Sequence, residues 1–389
     1  MKRKSSNSVC FSVLGEKNTY WYIFEVSKEG EDGGRIIVPC RCDCGCHCAK
    51  RFRHDTTSQG TPFLSPTKVL PKKDREDPGW TVVGNQLYRL GGTVCTEELE
   101  ELLYSKEPTQ TVRALDLTIK RGSDSNNNSP WQHKRPMLVH RSRPQTVVVG
   151  EKLYVLGGKL NDDDNKPWAE VYDPVDDIWE ALPRPPKIPR HDKFFSTGLE
   201  DDNDREKGGS IIVLSLEDEI LLEYHVANKC WNMSKLPGRT SMLPKRFDHD
   251  IRDQIPCGSA VAVGHMLYWF SSCTCRLYSL HRDTHDLYTS EIVVDVPSEY
   301  EEPPMLGHLG GDKFFLLHKN YDNSYYDDDD EEGCRSDSDN DQRQKTLLMH
   351  CLKFSVALVL RKKKMKISHE SSQSFLIKNN RRFNGCVVM

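Results

Sequence analysis

Apolar residues in this chain come in short runs of small or β-branched side chains, broken by glycine and polar residues, and they lack the three-to-four spacing of an amphipathic helix. Val82-Val83, Val147-Val148-Val149 and Val261-Ala262-Val263 each lead into a glycine, two variable residues and two large apolar ones. The pattern reads Gly84-Asn85-Gln86-Leu87-Tyr88, Gly150-Glu151-Lys152-Leu153-Tyr154, Gly264-His265-Met266-Leu267-Tyr268 and Gly311-Asp312-Lys313-Phe314-Phe315. Each run predicts a β-hairpin, in which the valines form one strand, glycine and its neighbour turn the chain, and Leu-Tyr or Phe-Phe begins the return. The next unit places His191-Asp192-Lys193-Phe194-Phe195 in this position, with histidine in place of glycine. Twice the return strand ends in a glycine pair, Gly91-Gly92 and Gly157-Gly158, where a missing Cβ admits close backbone approach. After Tyr268 that pair is absent and Trp269-Phe270 follows.

A second signal trails the hairpins. Glu170 to Trp179 predicts a third strand, a polar turn and a fourth strand entered by Trp179, and Leu182-Pro183 closes the unit. Leu222 to Trp231 repeats it, with Tyr224 and Trp231 seven residues apart like Tyr172 and Trp179, and with Leu236-Pro237 as terminator. Leu280 and Leu287 keep the spacing without aromatics, and Leu115 to Trp131 keeps the elements around an enlarged turn. The chain is therefore expected to be all-β, built from copies of one four-stranded sheet that begin near Gly79, Arg143, Arg190, Cys257 and Met305.

Glycine-led Leu-Tyr hairpins, Gly-Gly and Tyr172-Asp173-Pro174 ahead of Trp179 resemble the kelch repeat, most fully over about residues 143–183. The degenerate copies on either side resemble the plant proteins in which a kelch propeller follows an F-box. This resemblance spans about 80–354 and implies a kelch-type β-propeller, expected here with six four-stranded blades closed by N- and C-terminal strands. Residues 1–78 would supply N-terminal strands and a cysteine-rich loop to the closing blade, and 79–389 the propeller with an acidic insertion at 319–345. Tyr20 to Val26 and Arg35 to Val38 are strand-like, and Met365 to Ile377 is expected to complete that sixth blade, which would remove exposed sheet edges. On this reading the repeat aromatics are structural, each contributing roughly 2–3 kcal/mol by burial.

Composition narrows the function. Only 37% of the 389 residues are hydrophobic and 29% are charged, which implies long solvated loops, and the net charge of −4 does not favour nucleic acid as a partner. No secretory signal or bilayer-spanning run is visible, so a cytoplasmic or nuclear protein with no membrane partner is expected, with most of its 14 cysteines reduced. The same argument makes Asn232-Met233-Ser234 a chance glycosylation match.

In a propeller, loops between the second and third strands of every blade open on one face. Three such segments are acidic: 93–110 carries Glu97, Glu98, Glu100 and Glu101; 159–168 carries Asp162, Asp163 and Asp164; 319–345 carries Asp327, Asp328, Asp329, Asp330, Glu331 and Glu332. A fourth, 200–208, joins them if Phe194-Phe195 lies in a second strand. Charged loops are ordinarily just solvated, but their recurrence points to a face that attracts a basic protein. Cys40, Cys42, Cys44, Cys46, His47 and Cys48 offer soft ligands, Cys42, Cys44, Cys46 and Cys48 being the candidates for a zinc or copper(I) ion. Alternating cysteines are not finger spacing, so incidental thiols are the leading reading and no cofactor is assigned. Lys2-Arg3-Lys4 and Arg361 to Lys366 are basic; without interleaved aromatics the second reads first as a solvated turn, with a nuclear localisation signal as the alternative.

No nucleophile elbow, P-loop or His-Glu-x-x-His is present, and the Glu-x-x-x-Asp-x-x-x-His pattern of iron-dependent kelch relatives fails twice, at Gly208 and at Glu299. The expected function is thus a non-catalytic protein-interaction module. By resemblance it would be a substrate-recognition adaptor or scaffold in a ubiquitin ligase pathway, with the ligase core as a partner. The stretch before Trp80 lacks the paired Leu-Pro signals and the helical pattern of an F-box. The alternative is a propeller enzyme or metal-dependent protein using a central channel or the thiol cluster.

Overall fold

A computed structural model describes residues 8–14, 18–25, 68–71, 75–76, 78–96, 105–117, 131–158, 166–190, 194–200, 208–236, 260–271, 274–294, 304–321, 347–377 and 382–388. These residues are almost entirely strand, and the chain divides into two compact units: Lys73–Phe270 with Tyr278–Tyr288 and Gly385–Met389, and Met1–Lys72 with Ser271–Leu277 and Thr289–Asn384.

In chain order the strands begin with β1 (Ser8–Leu14), β2 (Asn18–Glu25), β3 (Lys68–Pro71) and the short β4 (Arg75–Glu76). The next sheet contains β5 (Gly79–Val83), β6 (Gln86–Leu90), β9 (Val112–Asp116) and β10 (Gln132–Lys134), while β7 (Thr93–Thr96) and β8 (Ser105–Pro108) form a side hairpin that pairs with β4. Two sheets follow in strict sequence: β11 (Gln145–Val149), β12 (Lys152–Leu156), β13 (Ala169–Asp173) and β14 (Ile178–Ala181), then β15 (Phe195–Leu199), β16 (Ser210–Ser215), β17 (Ile220–His225) and β18 (Cys230–Lys235). Another set is β19 (Val261–Val263), β20 (Met266–Ser271), β21 (Arg276–His281) and β22 (Leu287–Ile292). The last full set is β23 (Met305–Gly310), β24 (Lys313–Tyr321), β25 (Leu347–Val359) and β26 (Lys364–Ile377). Finally β27 (Arg382–Val388) joins β1, β2 and β3 in the order β27-β1-β2-β3.

The described strands thus make four four-stranded sheets, one of them combining strands from both ends of the chain as expected, a three-stranded sheet of β4, β7 and β8, and one eight-stranded sheet in which β22 pairs with β26 and joins the last two sets. The particular strands differ in one respect. Met365 to Ile377 lies in β26, the fourth strand of the set that starts at Met305, and β27 supplies the C-terminal strand beside β1. The physical reason is register: β25 and β26 pair continuously from Leu347↔Ile377 to Val359↔Lys364, which satisfies the backbone of β26 within its own hairpin. Residues 35–38 lie outside the described residues, and β3 is the third N-terminal strand observed.

The glycine-led turns behave as expected. Val83↔Gln86, Val149↔Lys152 and Val263↔Met266 close two-residue loops, and Gly84, Gly150 and Gly264 have φ of 59°, 64° and 56°, the left-handed region such loops require. One predicted hairpin is displaced. Phe195 opens β15, a first strand, and its partner is β16 across residues 200–209; the apolar run Ile211 to Leu214 supplies the return that Phe194-Phe195 was expected to provide.

Strand alternation builds the core of the first unit on both faces of each sheet. Leu153 and Val155 pack with Tyr88, Leu90, Val112 and Ala114 of the preceding sheet, whereas Tyr154 and Leu156 pack with Ile211, Val213 and Leu222 of the following one. Ile212 and Leu214 then turn to Leu267, Trp269 and Tyr278. Period-two chains with two apolar faces fit only a stack of sheets. The repeat aromatics lock that stack. Tyr172 pairs in register with Trp179 at 4.8 Å between ring centroids, and Tyr88 of the preceding sheet meets Tyr172 at 5.9 Å. One sheet later the same arrangement recurs, with Tyr224 and Trp231 at 5.0 Å and Tyr154 against Tyr224 at 6.4 Å. Each indole also donates to the segment leaving the preceding sheet, Trp179 to the Arg135 carbonyl at 2.9 Å and Trp231 to the Pro183 carbonyl at 2.8 Å. In the second unit the β24–β25 core holds Phe314 against Phe354 at 6.1 Å.

Packing leaves no room for a further side chain where β11 and β15 meet. A Cβ on Gly198 would sit 2.6 Å from the Val148 carbonyl oxygen, a backbone atom that cannot swing aside. Gly198→Val is expected to destabilise the protein by at least about 2 kcal/mol, through the overpacking that a core without slack resists. Urea unfolding measures it, with Gly84→Ala as a control that meets no neighbouring atom and bears only the smaller left-handed backbone penalty.

Candidate interaction surface

The connections between second and third strands were expected to carry the acidic surface, and their stems are well placed by the sheets. Segment 93–110 links β6 to β9 and contains the β7–β8 hairpin; residues 157–168 link β12 to β13; residues 322–346 link β24 to β25. Each insertion therefore occupies the same position within its own four-stranded set. Glu97, Glu98, Glu100, Glu101, Asp162, Asp163, Asp164, Asp327, Asp328, Asp329, Asp330, Glu331 and Glu332 themselves lie outside the described residues, as do Cys40, Cys42, Cys44, Cys46, His47 and Cys48. Residues 200–209 differ: they join the first strand β15 to β16, so they leave the opposite end of their sheet and do not belong with the other three. In that sheet the second-to-third connection is the short turn 216–219.

Between the first two insertions runs the segment that crosses from β10 to β11, and Arg141 at its centre is fully buried. Its guanidinium donates from Nε to Glu170 Oε1 at 2.7 Å, from Nη1 to the carbonyls of Gly157 and of Trp168 (the latter at 2.9 Å), and from Nη2 to the Pro167 carbonyl at 3.1 Å. The second oxygen of Glu170 accepts the Leu138 N–H at 2.6 Å. The planar fork of arginine suits this divergent set of acceptors, which a lysine would not satisfy. Backbone bonds complete the lock. The Arg141 N–H donates to the Thr109 carbonyl at 3.0 Å, the Gly92 N–H to the Arg141 carbonyl at 2.9 Å, and the Ser142 N–H to the Gly158 carbonyl at 2.7 Å. The glycine pairs make this possible, since a Cβ on Gly91 would lie 2.4 Å from the Arg141 carbonyl oxygen and one on Gly158 would lie 2.6 Å from that of Ser142. Both ends of two acidic insertions are thus tied to one crossing segment.

The next crossing repeats the principle with other residues. Asp218, in the turn 216–219, has a fully covered side chain that receives the Arg190 N–H at 2.8 Å, Lys187 Nζ at 3.0 Å and Ser215 Oγ at 3.0 Å. Burial by itself pushes the Asp218 carboxyl up, but the hydrogen bonds from Arg190, Lys187 and Ser215 outweigh it and hold the carboxyl below its ordinary value. Arg141, Glu170 and Asp218 escaped the sequence reading because single charged residues carry no periodic signal. The glycine pairs, which face Arg141, were the available clue.

No group of three or more histidine, cysteine, aspartate or glutamate side chains is arranged to hold a metal among the described residues. Burial pushes the Cys351 thiol up to about 12, which leaves almost no thiolate at neutral pH. No helix of the described residues is long and apolar enough to cross a membrane.

Four-stranded antiparallel sheets repeated along the chain, with glycine-led hairpins and, in two of the sheets, an in-register Tyr-Trp pair, define a kelch-type β-propeller. The kelch motif matches residues 140–186, the stretch that contains Arg141, both members of the second glycine pair, Tyr172 and Trp179. An F-box/kelch-repeat protein of Arabidopsis thaliana is 32% identical over 103 residues, 26% of this chain and 23% of the relative. A second F-box/kelch-repeat protein of that plant is 38% identical over 135 residues, 34% of this chain and 28% of the relative. A kelch repeat-containing protein from the same species is 26% identical over 183 residues, 46% and 39% of the two chains. The matched segments thus span well under half of those relatives. The chain carries a kelch motif at residues 140–186 and is similar, over part of its length, to plant F-box/kelch-repeat proteins.

Arg141→Met is expected to cost about 3–5 kcal/mol, because Glu170 is left buried without its counter-ion, and the Arg141→Met/Glu170→Leu double variant is expected to recover a large part of that loss. A double-mutant cycle by urea unfolding reads both numbers. For Asp218 the sign follows from its depressed folded value: its contribution is present above the unfolded value near 3.8 and is lost as pH falls through the folded one. Asp218→Asn is therefore expected to lower stability at neutral pH and to flatten the decline below about pH 4, followed by urea unfolding across pH.

Proposed function

We propose that this protein is a non-catalytic interaction module whose second-to-third-strand insertions hold a basic segment of a protein partner. The carrying observation is the Arg141–Glu170 lock. It ties the stems of the 93–110 and 157–168 insertions to one buried crossing segment, so the two acidic insertions share one fixed base. A surface organised in this way steers a cationic partner by long-range attraction and fixes where it docks. Resemblance to F-box/kelch-repeat proteins extends the proposal to a target-choosing adaptor or scaffold in a ubiquitin ligase pathway. There the protein would position a lysine-bearing client and leave the chemistry to other subunits.

Proximity labelling in plant cells tests the pathway, and enrichment of ligase subunits together with a client is the expected result. Neutralising Asp327, Asp328, Asp329 and Asp330 to asparagine is expected to weaken client binding about tenfold or more, equivalent to about 1.4 kcal/mol. Raising salt well above physiological strength should weaken it similarly. Client binding unchanged by both treatments contradicts the acidic-face reading. Stoichiometric metal in the purified protein, lost together with a measurable catalytic activity on chelation, contradicts the non-catalytic one.

A further inference from the structure

The β25–β26 hairpin leaves a stretch of open sheet edge. These two strands are 13 and 14 residues long, and β24 covers β25 only as far as Lys313↔Ser355. The Val356 N–H still donates to the Asp312 carbonyl at 2.9 Å, in the turn before β24. Val356 to Val359 pair on one side with Lys364 to Ile367, and among the described residues no strand pairs with them on the other. Backbone groups along an antiparallel strand turn to alternate edges with a period of two. Since Val356 points its N–H to the β24 side, Leu358 points its N–H and carbonyl the same way, beyond the start of that strand.

Register sorts the side chains of this extension onto two faces. Val356, Leu358, Met365 and Ile367 share one, with Val356 and Met365 buried and Leu358 and Ile367 half-buried. Ala357, Val359, Lys364 and Lys366 share the other and are all exposed. The far side of the hairpin is fixed, because β26 pairs in parallel with β22 through Thr289↔Lys364 and Ser290↔Met365. A 3-10 turn, Leu360–Lys362, closes the end, with the Lys363 N–H donating to the Leu360 carbonyl at 3.2 Å. That turn adds the exposed Arg361, Lys362 and Lys363, and the sequence from Val356 to Ser368 has no acidic residue. Glu370 is engaged by Lys353 at 3.1 Å and Lys313 at 3.6 Å, and the exposed Asp312 beside the edge offsets only part of the positive charge.

Lysines beside an open edge ordinarily guard it, since they repel uncharged or like-charged strands that would otherwise add to the sheet. The same charges attract an acidic strand. A phosphate-bearing surface would answer the cations but would leave the Leu358 N–H and carbonyl without a partner, whereas a peptide backbone answers both. An added strand would lie two strand spacings from β26, roughly 10 Å, which is about one Debye length at physiological salt. Long glutamate and lysine side chains shorten that gap, and the small Ala357 between them leaves it open.

We propose that the β25 edge at Val356–Val359 takes up, as an added strand, an extended acidic segment of a partner protein in which carboxylates alternate with apolar residues. The backbone of that segment bonds to Leu358. Its carboxylates lie on the face of Lys364 and Lys366, and its apolar residues extend the face of Leu358 and Ile367. The site is opposite in sign to the acidic insertions and is independent of the basic-client reading.

Fluorescence anisotropy of a labelled Glu-Val-Glu-Val-Glu-Val-Glu peptide with the full chain tests the proposal. Saturable binding is expected, weakened at least about tenfold by raising salt from about 50 to about 500 mM and by the Lys364→Glu/Lys366→Glu variant. Leu358→Pro removes the edge N–H and takes no bond from the β25–β26 ladder, so it should leave the chain folded while binding falls by at least about tenfold. Where that variant fails to fold, a peptide methylated at every backbone nitrogen makes the same test on the wild-type chain and is expected to lose as much. A peptide with its glutamates and valines in two blocks should also bind at least about tenfold more weakly. Full binding of the methylated or block peptide would reduce the site to a patch of charge and overturn the proposal. So would a wild-type chain that binds phosphatidylserine vesicles but no peptide, or one that binds neither. Binding that emerges only after Asp327, Asp328, Asp329 and Asp330 are changed to asparagine would assign the edge to this chain's own insertion and equally overturn it.

Discussion

The structure depends on how the chain passes from one sheet to the next. A strand pair needs only local chemistry, but a stack of sheets needs each crossing segment held where its backbone can no longer bond to water. Arg141 solves this problem for the crossing from β10 to β11. Its guanidinium and its own peptide reach carbonyls on both neighbouring sheets, and Glu170 supplies the opposite charge. An unpaired arginine in this position would be strongly destabilising, whereas one with all three guanidinium nitrogens bonded to acceptors becomes a fixed point. Asp218 has the reciprocal role at the following crossing, with the carboxylate on the sheet and the cations on the crossing segment.

Around these fixed points the aromatic pairs set the spacing. Tyr172 with Trp179, and Tyr224 with Trp231, are cross-strand pairs, and each indole N–H holds the strand exit of the preceding sheet. Packing between sheets and hydrogen bonding between crossings therefore act through the same side chains. The polar composition is consistent with this arrangement: the buried positions are few, repeated and multiply used, and the rest of the chain is free to lengthen its loops with charge.

Much of this was legible in the sequence because hairpins and cross-strand pairs are local. Gly84, Gly150 and Gly264 announce their turns, and the seven-residue interval from tyrosine to tryptophan follows from a turn of fixed length between two paired strands. What failed was long-range. Met365 to Ile377 looks like a lone C-terminal strand because its partner, β25, starts 25 residues beyond the end of β24 and carries no glycine-led turn. Phe194-Phe195 resembles the return of a hairpin although it opens a sheet, since aromatic pairs suit either strand. The β7–β8 hairpin was hidden inside a segment that reads as a polar loop. The acidic stretches were assigned by composition alone and lie outside the described residues, and the buried charges of Arg141 and Glu170 were missed, because a single arginine has no period and only its partners reveal it.

Amide hydrogen exchange across the Arg141 crossing tests the central claim most directly. Met137, Leu138, Arg141 and Ser142 lie outside regular strands, yet each N–H is bonded to a neighbouring sheet or its connections. Their exchange should be as slow as that of the central strands β12 and β13 and should require the same large-scale opening. Exchange of these amides at the rate of an ordinary surface loop, while β12 and β13 remain protected, would contradict the account.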